Sequence, residues 1–217
     1  MNSDASASPW IDITVPLRHG MPTWPGDPSC LIHQSVRMDQ GAVCNLTHLN
    51  LSAHTATHMD APRHFIADGK TMDQLPLDAV LGACRVLDLR HVIDQITPAD
   101  LEPHAPLPGE RLLLQTRNSF HSWALDHFDT EFVSIRQDAA QFLVERQVRT
   151  VGIDYLSIGG YGKDIVETHQ IMLGAEIWVI EGLNLAAVEP GEYELLCLPL
   201  NILGADGAPC RAVLRRL

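Results

Sequence analysis

From Leu51 to Phe65 the chain carries three of its 11 histidines and a carboxylate: His54, His58, Asp60 and His64, with Pro62 between the last two. No single regular element gathers these side chains. Upstream, Leu49, Leu51 and Ala53 alternate with His48, Asn50, Ser52 and His54, which predicts a strand that sends its apolar set into the core and its polar set to the other face. Were that strand to continue, His54 and His64 would end about 33 Å apart at about 3.3 Å per residue. In one helix, at about 100° per residue, His54 and His58 share a face while Asp60 and His64 fall nearly opposite. The chain is therefore expected to end a strand near His54, turn compactly through Thr55 to Pro62, and bring His64 back over the site, with Pro62 fixing its local φ.

Convergence on that turn has a chemical use. Neutral imidazoles with one carboxylate suit Zn²⁺, Mn²⁺ or Fe²⁺, and three protein ligands leave room for a water. A cation lowers the pKa of such a water and makes hydroxide available near neutral pH, so hydrolysis is the natural chemistry. A lone histidine is more often a surface or core-satisfied residue; four such groups on a Pro-bounded turn are not read that way. Two later residues add to the set. His169 lies on a helical stripe with Ile165, Val166, Met172 and Leu173, and Glu181 ends the apolar run Ile177–Ile180. Each alone reads as structural, but two polar groups entering a core side by side need partners, which a cation supplies.

Composition narrows the class. Lys+Arg 15 against Asp+Glu 27 gives a formal charge of −12, the wrong sign for nucleic acid or an anionic membrane surface, and neither partner is expected. No run approaches a membrane span, and the first residues lack the basic flank and apolar core of a secretion signal, which predicts a cytoplasmic protein. Cys30, Cys44, Cys84, Cys197 and Cys210 are odd in number and widely spaced, so they read as reduced thiols. Gly159–Lys163 has no Ser or Thr after its lysine and is no phosphate loop; Ser157 lacks the Gly-x-Ser-x-Gly context of a nucleophile elbow. The remaining class is a small-molecule protein.

Residues 1–9 form a polar tail expected to be mobile, and residues 10–217 a single domain, since no repeat, linker or charge block divides them. Strands are expected at Ile11–Val15, Leu31–Met38, Val43–Ala53, Arg85–Leu89, Arg111–Thr116, Thr150–Asp154, Ile177–Ile180, Tyr193–Leu198 and Arg211–Leu214. Helices are expected after Thr97-Pro98, over Asp138–Gln147 and from about Asp164 to Leu173. The fold class is α/β, a mixed sheet or partly closed β-barrel with covering helices.

The spacing from His54 to His64 closely resembles the His-x-Gly-Thr-His-x-Asp-x-Pro-x-His signature of the bacterial cyclase family of metal-dependent hydrolases, which includes kynurenine formamidase and isatin hydrolase. Trp24-Pro25-Gly26-Asp27, His169 with Glu181, Glu181-Gly182-Leu183-Asn184-Leu185, and the closing segments Gly191–Leu200 and Asp206–Leu214 resemble family segments in the same order. The resemblance implies a swivelling β/β/α fold, and one or two divalent ions, Zn or Mn. One would be held by His54, His58 and Asp60, with Asp60 bridging to a second held by His169 and Glu181. It implies His64 as general acid/base and Trp24 on the substrate side, although packing over the sheet explains Trp24 equally well. It further implies a homodimer or homotetramer acting on a small amide, with N-formyl-kynurenine the leading substrate. A lactam or imide ring such as isatin is the alternative, and a non-catalytic metal-dependent binding protein the rival outside the enzymes. Two departures stand out. Ala56 replaces the family's glycine, and Tyr155–Asp164, expected to border the pocket, replaces the Asp-Thr-Pro-Ser segment of kynurenine formamidases.

Overall fold

The computed structural model describes residues 9–217; apart from Pro9, the expected N-terminal tail lies outside the described residues. In chain order the strands are β1 (Trp10–Asp12), β2 (Leu31–Val36), β3 (Leu46–Asn50), β4 (His58–Asp60), β5 (Leu81–Asp88), β6 (Gln95–Ile96), β7 (Arg111–Gln115), β8 (Ser134–Ile135), β9 (Thr150–Ile153), β10 (Trp178–Glu181), β11 (Gly191–Pro199) and β12 (Gly207–Arg216). The helices are α1 (Pro98–Leu101), α2 (Gln137–Glu145) and α3 (Ile165–Gly174).

Seven strands close into a mixed barrel in the order β12-β11-β5-β7-β9-β10-β4, and β4 returns to pair with β12. The β5-β7-β9-β10 run is parallel and the other pairings are antiparallel. β12 is long enough to take β4 along Gly207–Pro209 and β1 along Val213–Arg215 on the same edge. The barrel is thus fully closed, more complete than the expected partial closure.

Two apolar cores follow from the pleat of these strands. Leu113, Trp178, Ile180, Tyr193 and Leu195 point inward and meet Ile13 and Met59. Leu112, Leu114, Val151, Ile153 and Val179 point outward, where Leu143 of α2 and Met172 and Leu173 of α3 cover them. That is why Leu112–Leu114 and Val151–Ile153 read as unbroken apolar runs. Thr97 caps α1 through reciprocal contacts with Asp100, and Asp164 ties the start of α2 down by accepting the Gln137 N–H at 2.7 Å.

The structure departs from the sequence reading at definite places. β2 and β3 form a separate two-stranded ribbon outside the barrel, so Leu49 is exposed rather than directed into the core. Alternation there marks a strand without naming which face is covered. His58–Asp60 is a strand rather than part of a turn: too short to show a period, it exists because β10 and β12 flank it on both edges. Val166 is exposed although its helical neighbours His169 and Met172 are buried. All five cysteines are free, as expected, but Cys197 and Cys210 meet across adjacent strands with their sulfurs 3.5 Å apart.

Candidate active site

The site is built where β4 meets β10. In register, Glu181 pairs with His58 and Val179 with Asp60, so antiparallel pairing alone sets a carboxylate of one strand against an imidazole of the other. α3 brings His169 to the same place, and the turn before β4 brings His54. Every one of these side chains is buried or nearly so: His58 and Asp60 are 0% exposed, His169 2% and Glu181 3%.

The distances show one connected cluster. His58 Nε2 lies 3.2 Å from Glu181 Oε2 and 3.5 Å from Asp60 Oδ1; His169 Nε2 lies 3.4 Å from Glu181 Oε1 and 3.7 Å from Asp60 Oδ2; His54 Nδ1 lies 2.8 Å from Asp60 Oδ1. The rings are held from behind. His58 Nδ1–H donates to the Ala56 carbonyl at 2.9 Å and His169 Nδ1–H to the Ile165 carbonyl at 2.6 Å, which turns both Nε2 atoms inward as lone-pair donors. The Ile158 N–H donates to Glu181 Oε1 at 2.6 Å and fixes that carboxylate.

All five sequence-derived ligand candidates therefore converge: His54, His58, Asp60, His169 and Glu181. Their proximity pairs somewhat differently from the expected grouping, because His58 closes on Asp60 and Glu181 while His54 closes on Asp60 and His64. The set fits a cation. His58 Nε2 and Asp60 Oδ2 are buried with no hydrogen-bond partner among the described residues, a costly state that a divalent ion placed between them relieves.

Opposite charges hold the cluster together. Burial alone would lower the pKa of His54, but the charge of Asp60 and hydrogen bonds to Asp206 and Asp60 push it up to about 10. Burial alone would raise Asp60, and the imidazole charges, His54 foremost, hold it well below the usual carboxylate range. His169 is raised despite burial because Glu181 faces it.

His64 leaves the core and faces the pocket. Its ring stacks on His54 with centroids 3.9 Å apart, and its Nδ1 lies 3.4 Å from Asp206 Oδ2. Burial pushes its pKa down. Phe65 stacks on His169 at 4.3 Å and meets His64 edge-on. The pocket, of about 330 Å³, is walled by Trp24, Asp27, Phe65, Leu156 and Asp206 above the ligand cluster. Trp24 lines it and packs edge-on against Phe128, Phe132 and Tyr161, aromatic residues outside the strands rather than on the sheet. Leu156 and Ser157 place the 155–164 segment at the pocket, as expected.

Asp206 and Phe65 had no assigned role in the sequence. Asp206 lies at the head of β12, directly before the Gly207–Pro209 pairing with β4, a relationship that no local spacing encodes. Ala56 adopts φ 56°, the left-handed region that suits the family's glycine, and its Cβ strains the turn by about 1 kcal/mol.

The Cyclase family model matches residues 11–159. The curated kynurenine formamidase of Sphingopyxis alaskensis is 32% identical over 206 residues, 95% of this chain and 97% of its own length. That of Erythrobacter litoralis is 35% identical over 206 residues, 95% and 93% of the two chains. A solved structure described as a potential metal-dependent hydrolase with cyclase activity matches with a TM-score of 0.84 at 34% identity, covering 96% of this chain and 98% of that one. With matches that run nearly end to end and a ligand cluster on the segment that carries the signature, this chain belongs to the cyclase family.

Proposed function

We propose that this chain is a metal-dependent hydrolase that cleaves the amide C–N bond of N-formyl-kynurenine, giving kynurenine and formate. The observation that carries the reading is the convergence of His54, His58, Asp60, His169 and Glu181 at the floor of a pocket with an aromatic wall. Curated kynurenine formamidases spanning the same length support the substrate.

His54, His58 and Asp60 would hold one divalent ion, with Asp60 shared toward a second held by His169 and Glu181. The imidazole-rich donor set favours zinc or manganese. When bound, the cation supplies Lewis acidity toward the carbonyl and a lowered pKa for water. His64 moves the proton. With Nδ1 beside Asp206, its Nε2 is the free basic atom; it takes a proton as water adds to the formyl carbon and returns it to the anilide nitrogen as the C–N bond breaks. Burial favours the neutral form of that imidazole. Trp24 and Phe65 flank the space for the aryl ring and exclude water from it.

A second copy of the chain is part of the same reading, as a homodimer or homotetramer. The ribbon β2–β3, with Leu31, Leu46 and Leu49 facing solvent, leaves apolar surface for it. No helix among the described residues is long and apolar enough to cross a membrane, and a cytoplasmic setting is proposed with it. The Tyr155–Asp164 segment, which reaches the pocket wall through Leu156 and Ser157 and lacks the Asp-Thr-Pro-Ser pattern, fits a lactam such as isatin as well, and this is the second reading.

The test is elemental analysis of the purified protein together with formate release from N-formyl-kynurenine, before and after chelation. Metal with chelator-sensitive formate release is expected. Metal without formate moves the reading to the ring-opening alternative, and absence of metal overturns it.

A further inference from the structure

The pocket has a charge that hydrolysis itself does not use. Above the ligand cluster it presents Asp27 and Asp206, and neither lysine nor arginine lines it. Asp206 is engaged by His54 and His64. No hydrogen bond or ion pair reaches the Asp27 carboxylate from any described residue.

Its position is built by a tight turn. The Asp27 N–H donates to the Trp24 carbonyl at 3.0 Å; Pro25 occupies the second position, where its fixed φ suits the bend, and Gly26 the third at φ 101°, which only glycine takes without strain. This is the pattern of a type II turn. It sets the Trp24 ring and the Asp27 carboxylate three residues apart on one wall, both half-buried, so a ligand whose aryl ring lies against Trp24 meets Asp27 with its substituent.

We propose that Asp27 is a specificity-determining residue that selects aryl amides bearing an ammonium group over those bearing a carboxylate. The proposal rests on the aryl formamide reading above and deepens it by naming the charge class of the substrate. A zwitterionic amino-acid side chain satisfies it when the ammonium pairs with Asp27 and the carboxylate extends through the open mouth into water. An anion attached directly to the ring has no such escape and meets two carboxylates with neither lysine nor arginine to offset them. Any positive charge at the pocket floor acts in the opposite direction, but equally in the native protein and in an Asp27 variant, so the difference between the two isolates the carboxylate.

The experiment compares metal-loaded native protein, Asp27→Asn and Asp27→Glu on N-formylkynuramine, which is cationic, and 2-formamidobenzoate, which is anionic. A half-exposed charge pair predicts that the cation-to-anion ratio of kcat/KM falls about 5- to 10-fold in Asp27→Asn, mostly through KM, with recovery in Asp27→Glu. The native ratio is expected to shrink as salt is raised. A ratio that Asp27→Asn leaves unchanged, or a loss confined to kcat, overturns the proposal. If neither formamide is hydrolysed, formate release from N-formyl-kynurenine decides the formamidase reading by itself. The charge preference is then read from calorimetric binding of kynuramine against anthranilate, where equal affinities overturn it and a tighter amine, weakened in Asp27→Asn, upholds it.

Discussion

Gly182 lies so close to Ala56 that a Cβ built on it would stand 1.9 Å from the Ala56 carbonyl oxygen. The two residues border the ligands Glu181 and, one residue further on, His58, and the same carbonyl accepts the His58 ring N–H. Gly182 has φ 71°, which adds a second reason for glycine there. Gly182→Ala is therefore expected to push the two ligand strands apart. Overpacking and left-handed strain together cost about 2–4 kcal/mol, and a thermal melt with metal analysis should show both a lower Tm and a reduced metal content.

His64→Ala separates proton transfer from metal holding. Turnover should fall by about 10²- to 10⁴-fold, while the metal content stays near that of the native protein, because His58, Asp60, His169 and Glu181 remain. Native-rate turnover in this variant would remove His64 from the mechanism, and equal loss of metal would make it a ligand.

The metal-free site is expected to lose stability in alkali. His54 is raised by its partners from 6.5 to about 10, so the stabilisation from that pairing is complete below 6.5 and disappears as pH rises through about 10. Metal binding must displace the same proton, so affinity rises over this window and proton release accompanies loading. Titration calorimetry in two buffers of different ionisation enthalpy measures that release. A metal-free Tm that climbs across the window would contradict the pairing.

Asp154, fully buried at the end of β9, accepts from the backbone N–H and hydroxyl of both Thr116 and Ser119. Burial pushes its pKa up. In Asp154→Asn the amide oxygen can stand at Oδ2 and keep both backbone N–H groups, but the NH₂ then replaces Oδ1 and the Thr116 hydroxyl must turn from donor to acceptor, at a cost of about 1 kcal/mol. The denaturant midpoint should drop accordingly. Because Asp154 precedes the segment whose Ile158 N–H holds Glu181, weaker metal binding should accompany the drop.

The chemistry of the site was legible because it was written in spacing. A Pro-bounded turn with His at 54, 58 and 64 and Asp at 60 has few reasons to exist apart from convergence, and the apolar run ending in Glu181 pointed to a polar group at a strand end. Partners settled by pairing between distant segments were not legible. β4 is three residues long and carries no period, so only β10 and β12 reveal it as a strand. Asp206 reaches His54 and His64 because barrel closure sets the start of β12 beside β4, some 150 positions away in the chain. The ribbon failed differently: its alternation was real, but alternation does not say what lies on the apolar side, and Leu49 faces water.

Strand β4 completes the hydrogen-bonded circuit of the barrel, and its first and last residues are His58 and Asp60. Sealing the cylinder therefore also sets His58 and Asp60 against Glu181, and the turn before β4 and α3 have only His54 and His169 to add to the ion's cradle. Difference of activity between chains of this shape is then left to the surrounding rim, such as the 155–164 segment, which can change while the seam stays shut.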